Sequence, residues 1–407
     1  MADTAGGLES SARARGVERV KFPCFDGFRA LAAISVLVTH VAYLSGFDIH
    51  SRFGAFTARM DVGVAVFFMI SGFLLYRPFV ASRLAGSHGP RPASYFWRRA
   101  LRILPAYWVA LTITVFVLHV PKELPSAKNL FLFYGLLHPY SVDNFFGPIL
   151  SSYTLTTEIS FYVFLPLYAF VIARAAATPQ PQAQMRRELV ILTGLVAAGV
   201  VYRAAVTAAD FDATRTAQLQ NVLPGWIDVF AIGMVLAVAS AWITQRRTAA
   251  PAGLDRRWAP AVCWALATAA FVAISLWIGK PPRGEVTYTF WEDMGIHYLY
   301  LAVALFFLLP GIFGSQREGA IRRLLRSPAV VFLGLISYGL YLWNETLMEK
   351  YIEWTSSTAF NTSFPVMLLA VFVATSLVAT VSYIVVERPV LSLKSWVPDR
   401  RQAREPA

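Results

Sequence analysis

Apolar runs of about 20 residues, the length that crosses a bilayer as a helix, alternate with short polar connectors along most of the chain. They fall near residues 28–46, 61–81, 104–120, 152–173, 188–207, 223–244, 259–279, 294–313, 328–348 and 363–385. The pattern predicts an all-α polytopic membrane protein of ten transmembrane helices. A shorter stretch near 129–140, containing His138 and Pro139, is ambiguous by length. Charge decides it. If this stretch does not span, Lys and Arg concentrate in one alternate set of connectors (before 28, 77–103, 174–187, 245–258, 314–327 and 386–407) and are sparse in the other. Counted as a span, it would move the pairs Arg186-Arg187, Arg246-Arg247 and Arg322-Arg323 to the sparse side. The positive-inside rule therefore predicts ten spans with both termini cytoplasmic, and 129–140 as an interfacial or re-entrant piece on the outer side. The expected organisation is a cytoplasmic tail at 1–27, a membrane domain at 28–387 and a cytoplasmic tail at 388–407.

Composition agrees with the membrane class. The 407 residues are 57% hydrophobic and only 15% charged, with mean hydropathy +0.53, far from a soluble domain. A net charge of +12 could suit nucleic acid, but the basic residues sit in short clusters between apolar runs rather than on one domain, so no nucleic-acid partner is expected. The two cysteines, Cys24 and Cys263, are far apart and match no Cys/His metal spacing, so no metal is expected. Residues 1–21 hold Arg13, Arg15, Arg19 and Lys21 without a cleavable apolar core, so the first span should persist as a helix.

An ionisable group deep in a membrane costs a few kcal/mol and marks function by default. The first span carries two, in D-G-F-R-A-L-A-A-I-S-V-L-V-T-H, Asp26 to His40. Eleven helical steps place Arg29 and His40 on one face, roughly 16 Å apart along the axis. His40 is expected about two turns from the outer end of its span, and Glu158, in S-Y-T-L-T-T-E-I-S-F-Y, at the same depth on the fourth. Asn344, in S-Y-G-L-Y-L-W-N-E-T, is expected slightly shallower on the ninth. A histidine beside a carboxylate can take a proton from a hydroxyl; it can equally relay protons in a transporter or simply tie helices together. Arg98, Arg99 and Arg102, at the start of the third span, suit phosphate, although any cytoplasmic helix end collects arginine. Ser71-Gly72, at mid-span, permits close helix approach or a lining hydroxyl.

Taken together these stretches resemble the acyltransferase 3 family of membrane-embedded O-acyltransferases, which acylate bacterial surface glycans and macrolides. The matching pieces, in order, are D-G-F-R-A-L-A-A with His40 eleven residues after Arg29, V-F-F-M-I-S-G-F-L-L, R-R-A-L-R-I-L-P-A-Y, Y-T-L-T-T-E-I-S-F-Y, I-S-Y-G-L-Y-L-W and V-S-Y-I-V-V-E-R-P ending at Pro389. They run through residues 22–392.

The resemblance implies an acyl-CoA donor, acetyl-CoA foremost, approaching from the cytoplasm, a hydroxyl acceptor on a glycan or small molecule, and a bacterial cytoplasmic membrane. It implies His40 as base with Arg29 essential, and Arg99 and Arg102, with Arg98, as binders of CoA phosphates. Glu158 is the expected orienting carboxylate for His40. Ser71, Tyr341 and Asn344 are the candidate donors to a tetrahedral oxyanion. Many family members carry histidine where this chain has Asn344, and an amide cannot serve as a base, so the proton transfer falls to His40. Two other readings use the same residues: a transmembrane acyl relay to a partner enzyme, and a proton-coupled transporter, although no repeat symmetry of the transporter kind is visible.

Overall fold

A computed structural model describes residues 21–120, 126–178, 180–209, 211–246, 253–254, 256–278, 288–316 and 318–397. Residues 1–20 and 398–407 of the two expected tails lie outside the described residues. Among the described residues, nine helices are long and apolar enough to cross a membrane, and a bent pair makes up to ten. The protein is thus a multi-pass membrane protein. The long helices are α1 (Phe25–Ser45), α2 (Gly63–Leu84), α3 (Pro92–Thr112), α5 (Ser152–Ala175), α6 (Pro181–Ala208), α8 (Leu223–Arg246), α9 (Ala259–Ala273), α10 (Phe290–Ile312) and α14 (Phe364–Ser382). Between them lie the shorter α4 (Ala127–Tyr134), α7 (Ala213–Asn221) and α11 (Ala320–Leu325).

The ninth predicted span is broken. α12 (Pro328–Leu335) and α13 (Ser337–Trp354) meet at 67° around Ile336. Close packing accounts for the break: a Cβ at Gly334 would lie 2.1 Å from the Asp26 carbonyl oxygen, so α12 crosses directly over the start of α1. The Ser337 hydroxyl donates to the Gly334 carbonyl across the joint (2.8 Å), and α13 runs on alongside α1 and α14.

The stretch near 129–140 is not a span. α4 is eight residues long and gives way to a 3₁₀ turn, His138–Tyr140. That turn folds into the protein: His138 is fully buried, and its Nε2 meets the Ser152 hydroxyl at 3.0 Å. Burial pushes the imidazole down to about 3, so it stays neutral. Phe145, Ile149 and Ser151 are also buried, while Tyr140 and Phe146 remain exposed, so the irregular segment before α5 is pinned to the protein at alternate points.

The centre of the bundle is the α2–α8 pair. Gly72 and Gly233 let the two backbones meet, since a Cβ at Gly72 would be 2.2 Å from the Phe230 carbonyl oxygen and one at Gly233 2.3 Å from that of Met69. Phe68 and Phe161 stack on Phe230 from either side, with centroids at 4.7 and 4.1 Å. Small residues replacing bulk at such crossings allow van der Waals contact where lipid supplies no hydrophobic drive. Away from this centre, Arg203 of α6 pairs with Asp293 of α10 at 2.9 Å, and His297 with Asp228 at 2.9 Å, all buried. These buried pairs fasten α6, α8 and α10 to one another.

Candidate active site

A cavity of about 220 Å³ lies between α1, α2, α3, α5 and α13. One end is cationic, lined by Arg29, Arg99 and Arg102; Ser71, Glu158 and Tyr162 line the middle; Thr154 and Tyr341 close the other end. Arg98 does not line it.

The arginines come from two helices. Arg29 is anchored by Asp26, one turn back on α1 (2.9 Å). Arg102 lies 3.7 Å from Glu387, a carboxylate 2% exposed at the end of a π-helical turn, Tyr383–Glu387, that continues α14. Thus the last matching stretch of the sequence supports the third. Arg99 lies over the Tyr162 ring at 5.8 Å and has no hydrogen-bond partner among the described residues. The three arginines thus line one end of the cavity, two of them beside carboxylates and Arg99 without one, a cationic lining that suits an anion.

Ser71 and Gly72 divide the two roles the sequence left open. Gly72 packs on α8, while the Ser71 hydroxyl, one step round the helix, donates to Glu158 Oε1 at 2.6 Å. Tyr162 donates to the same oxygen at 2.7 Å.

His40 is not at that level. Its Nδ1 lies 2.8 Å from Asn344 Oδ1 and 3.4 Å from Glu345 Oε1. The Asn344 amide nitrogen donates to the carbonyls of Leu340 and Tyr341 (3.1 and 2.6 Å), which can only accept. The amide oxygen therefore faces His40, so Nδ1 carries the proton and Nε2 is the basic nitrogen. Nε2 has no hydrogen-bond partner among the described residues, and the side chain is 25% exposed. Glu345 is fixed in turn by the Ser151 backbone N–H, which donates to Oε2 at 2.8 Å.

Two expectations are corrected by this arrangement. Glu158 does not orient His40; Asn344 and Glu345 do. Because Ser151, at the start of α5, reaches the His40 level, Glu158 lies seven residues further along, about 10 Å down the axis. Equal distance to the helix ends predicts equal depth, but α5 begins inside the protein, at the buried Ser151 and Ser152. The second correction concerns the oxyanion donors. Asn344 spends its N–H groups on its own helix, Ser71 donates to Glu158, and the Tyr341 hydroxyl pairs with Thr154 Oγ1 (2.5 Å) and donates to the Ser151 carbonyl (3.3 Å). None of the three is poised to donate to a reacting oxygen in this state.

Glu345 is the residue that the sequence reading missed. Its signal was present, an acidic group inside an apolar segment immediately after Asn344, but adjacent helical positions point about 100° apart, and only the fold shows both reaching His40. Asp61 was also passed over. It lies near enough to His40 for their charges to interact and accepts a short hydrogen bond from Tyr300. Among the described residues no group of His, Cys, Asp and Glu is arranged to hold a metal ion.

α13 joins the two ends of the site. Ser337, Tyr338 and Tyr341 line the cavity, and one turn beyond Tyr341 the same helix holds His40 through Asn344 and Glu345. The Thr154–Tyr341 contact lies between them.

Comparison with known proteins gives the family. The model of the Acyl_transf_3 family, described as an acyltransferase domain, matches residues 22–384. The chain is 30% identical over 164 residues to nodulation protein 10 of Rhizobium leguminosarum bv. viciae, covering 35% of this chain and 43% of that protein. It is 24% identical over 189 residues to the peptidoglycan O-acetyltransferase OatA of Listeria monocytogenes, covering 43% of this chain and 28% of that protein. The chain thus spans less than half the length of either relative. No solved structure matches. With the family match running from residue 22 to residue 384, the chain belongs to the acyltransferase 3 family of membrane acyltransferases.

Proposed function

We propose that the protein moves an acyl group from acyl-CoA, acetyl-CoA foremost, to a hydroxyl of a glycan or small-molecule acceptor at a bacterial cytoplasmic membrane. The observation that carries this reading is the continuity along α13 between a cationic cavity and a histidine whose free nitrogen is basic. Arg29, Arg99 and Arg102 take the phosphates of the donor, in keeping with the cytoplasmic side expected for that end. The pantetheine arm extends through the cavity toward Tyr341, and the Thr154–Tyr341 contact opens to let the acyl group reach His40.

His40 Nε2 accepts the proton of the acceptor hydroxyl as its oxygen attacks the thioester carbonyl. The C–S bond then breaks, and the proton passes from the imidazolium to the departing thiolate. Glu345, 3.4 Å from Nδ1, stabilises the charge that forms on the ring. A general base of this kind is worth roughly 10²–10⁴ in rate. The relation to a peptidoglycan O-acetyltransferase supports a glycan acceptor.

The test is transfer of label from [¹⁴C]acetyl-CoA to membrane or secreted acceptors by purified protein in bilayers. Wild type should transfer and His40→Ala should lose at least about a hundredfold in rate. Near-normal transfer by His40→Ala would sink the scheme. Label reaching an acceptor only when a second enzyme is added would favour the relay instead.

A further inference from the structure

Once Glu345 is seen to serve His40, the carboxylate in the middle of the cavity is left without a task. Glu158 Oε1 is saturated by Ser71 and Tyr162 (2.6 and 2.7 Å), which hold the group in one orientation. Oε2 has no hydrogen-bond partner among the described residues, and the residue lines the cavity. A carboxylate is an acceptor with no N–H or O–H of its own to offer when ionised. With no protein donor on it, Oε2 is the acceptor that the middle of the cavity offers to a ligand bringing an N–H or O–H.

The position says which part of the ligand. Along α5, Tyr162, Glu158 and Thr154 stand at successive turns, each about 6 Å apart. Tyr162 lies under Arg99 at the phosphate end, and Thr154 meets Tyr341 at the other. A donor stretched from the arginines to Tyr341 therefore lays its middle against Glu158. The middle of a pantetheine arm carries two amide N–H groups. A polyprenyl phosphate would present the same anion to the arginines but only hydrocarbon to Glu158.

Building on the donor reading above, we infer that Glu158 Oε2 accepts an amide N–H of the pantetheine arm. This makes Glu158, positioned by Ser71 and Tyr162, the residue that selects an amide-bearing thioester over a donor with a hydrocarbon neck.

The experiment measures dissociation constants by equilibrium dialysis with the purified full chain in detergent. The ligands are acetyl-CoA and two analogues, in each of which one pantetheine amide N–H is replaced by an ester oxygen. A hydrogen bond to a charged group corresponds to about a tenfold to a hundredfold change in affinity. One analogue should bind wild type more weakly than acetyl-CoA by that factor. Glu158→Leu should weaken acetyl-CoA by the same factor and no longer distinguish it from that analogue, the coupling expected of a direct contact. Glu158→Gln, nearly isosteric and retaining an acceptor oxygen, should show a smaller, severalfold discrimination; it makes the same comparison if the leucine variant does not fold. If both analogues bind wild type as acetyl-CoA does, or if the penalties of analogue and variant simply multiply, the inference is overturned. Arg102→Ala separates this from the donor reading, because it should weaken all three ligands equally. If it leaves acetyl-CoA binding unchanged, or if wild type does not bind acetyl-CoA, the donor reading fails and the inference falls with it.

Discussion

Replacing Glu345 by glutamine removes one charge beside His40 and changes little else. The amide oxygen of the variant can still accept from the Ser151 N–H, and the side chain is 7% exposed in wild type with no room lost or gained. The magnitude follows from the geometry. An imidazolium and a carboxylate 3.4 Å apart attract by about 5 kcal/mol at an effective dielectric of about 20. His40 is one-quarter exposed, so water already screens part of that attraction. Allowing about half for this screening leaves roughly 2–3 kcal/mol, and the glutamine NH2, turned toward the Nδ1–H once the amide oxygen accepts from Ser151, returns none of it. Because the ring becomes charged only as the proton is transferred, the loss falls on the transition state, about 30- to 160-fold in kcat. The assay is single-turnover transfer from labelled acetyl-CoA, with donor affinity measured separately by dialysis. Donor affinity should be unchanged, since Glu345 is not among the residues that line the cavity. A Glu345→Gln protein that turned over within twofold of wild type would refute the role given to this residue. So would one whose defect lay wholly in donor binding.

Further expectations follow from the same contacts. Asn344→Leu removes the acceptor that holds Nδ1 and should lower kcat by about tenfold or more with donor affinity intact, read by the same two assays. Arg99→Ala and Arg102→Ala should each weaken acetyl-CoA binding by about tenfold to a hundredfold, read by dialysis. Gly72→Leu places side-chain carbon against the Phe230 carbonyl and should lower the thermal midpoint in detergent by many degrees or abolish folding, whereas Ser71→Ala, facing the cavity, should not. Arg203→Leu leaves Asp293 without its ion pair and should cost about 3–5 kcal/mol of stability, seen as a lower denaturation midpoint with the donor site unaltered.

Fold class and most of the span boundaries were legible in the sequence because a bilayer imposes a length and a polarity on any helix that crosses it, and both are local properties of the chain. The same holds for the site's ingredients. Arg29 and His40 share a helix face by spacing alone, and Arg99 and Arg102 fall on one turn of α3. What tertiary structure alone decided is which carboxylate meets which base. Glu158 and Glu345 are both acidic residues in apolar segments, and nothing local distinguishes their partners. The choice depends on where α5 begins, which is set by the buried His138 turn, and on the break at Ile336, which sets the rotation and depth of α13 against α1. Helix register between neighbours is a property of packed surfaces rather than of either sequence alone. For that reason the sequence supplied the histidine, and only the fold assigned Glu345 to it and left Glu158 to the cavity.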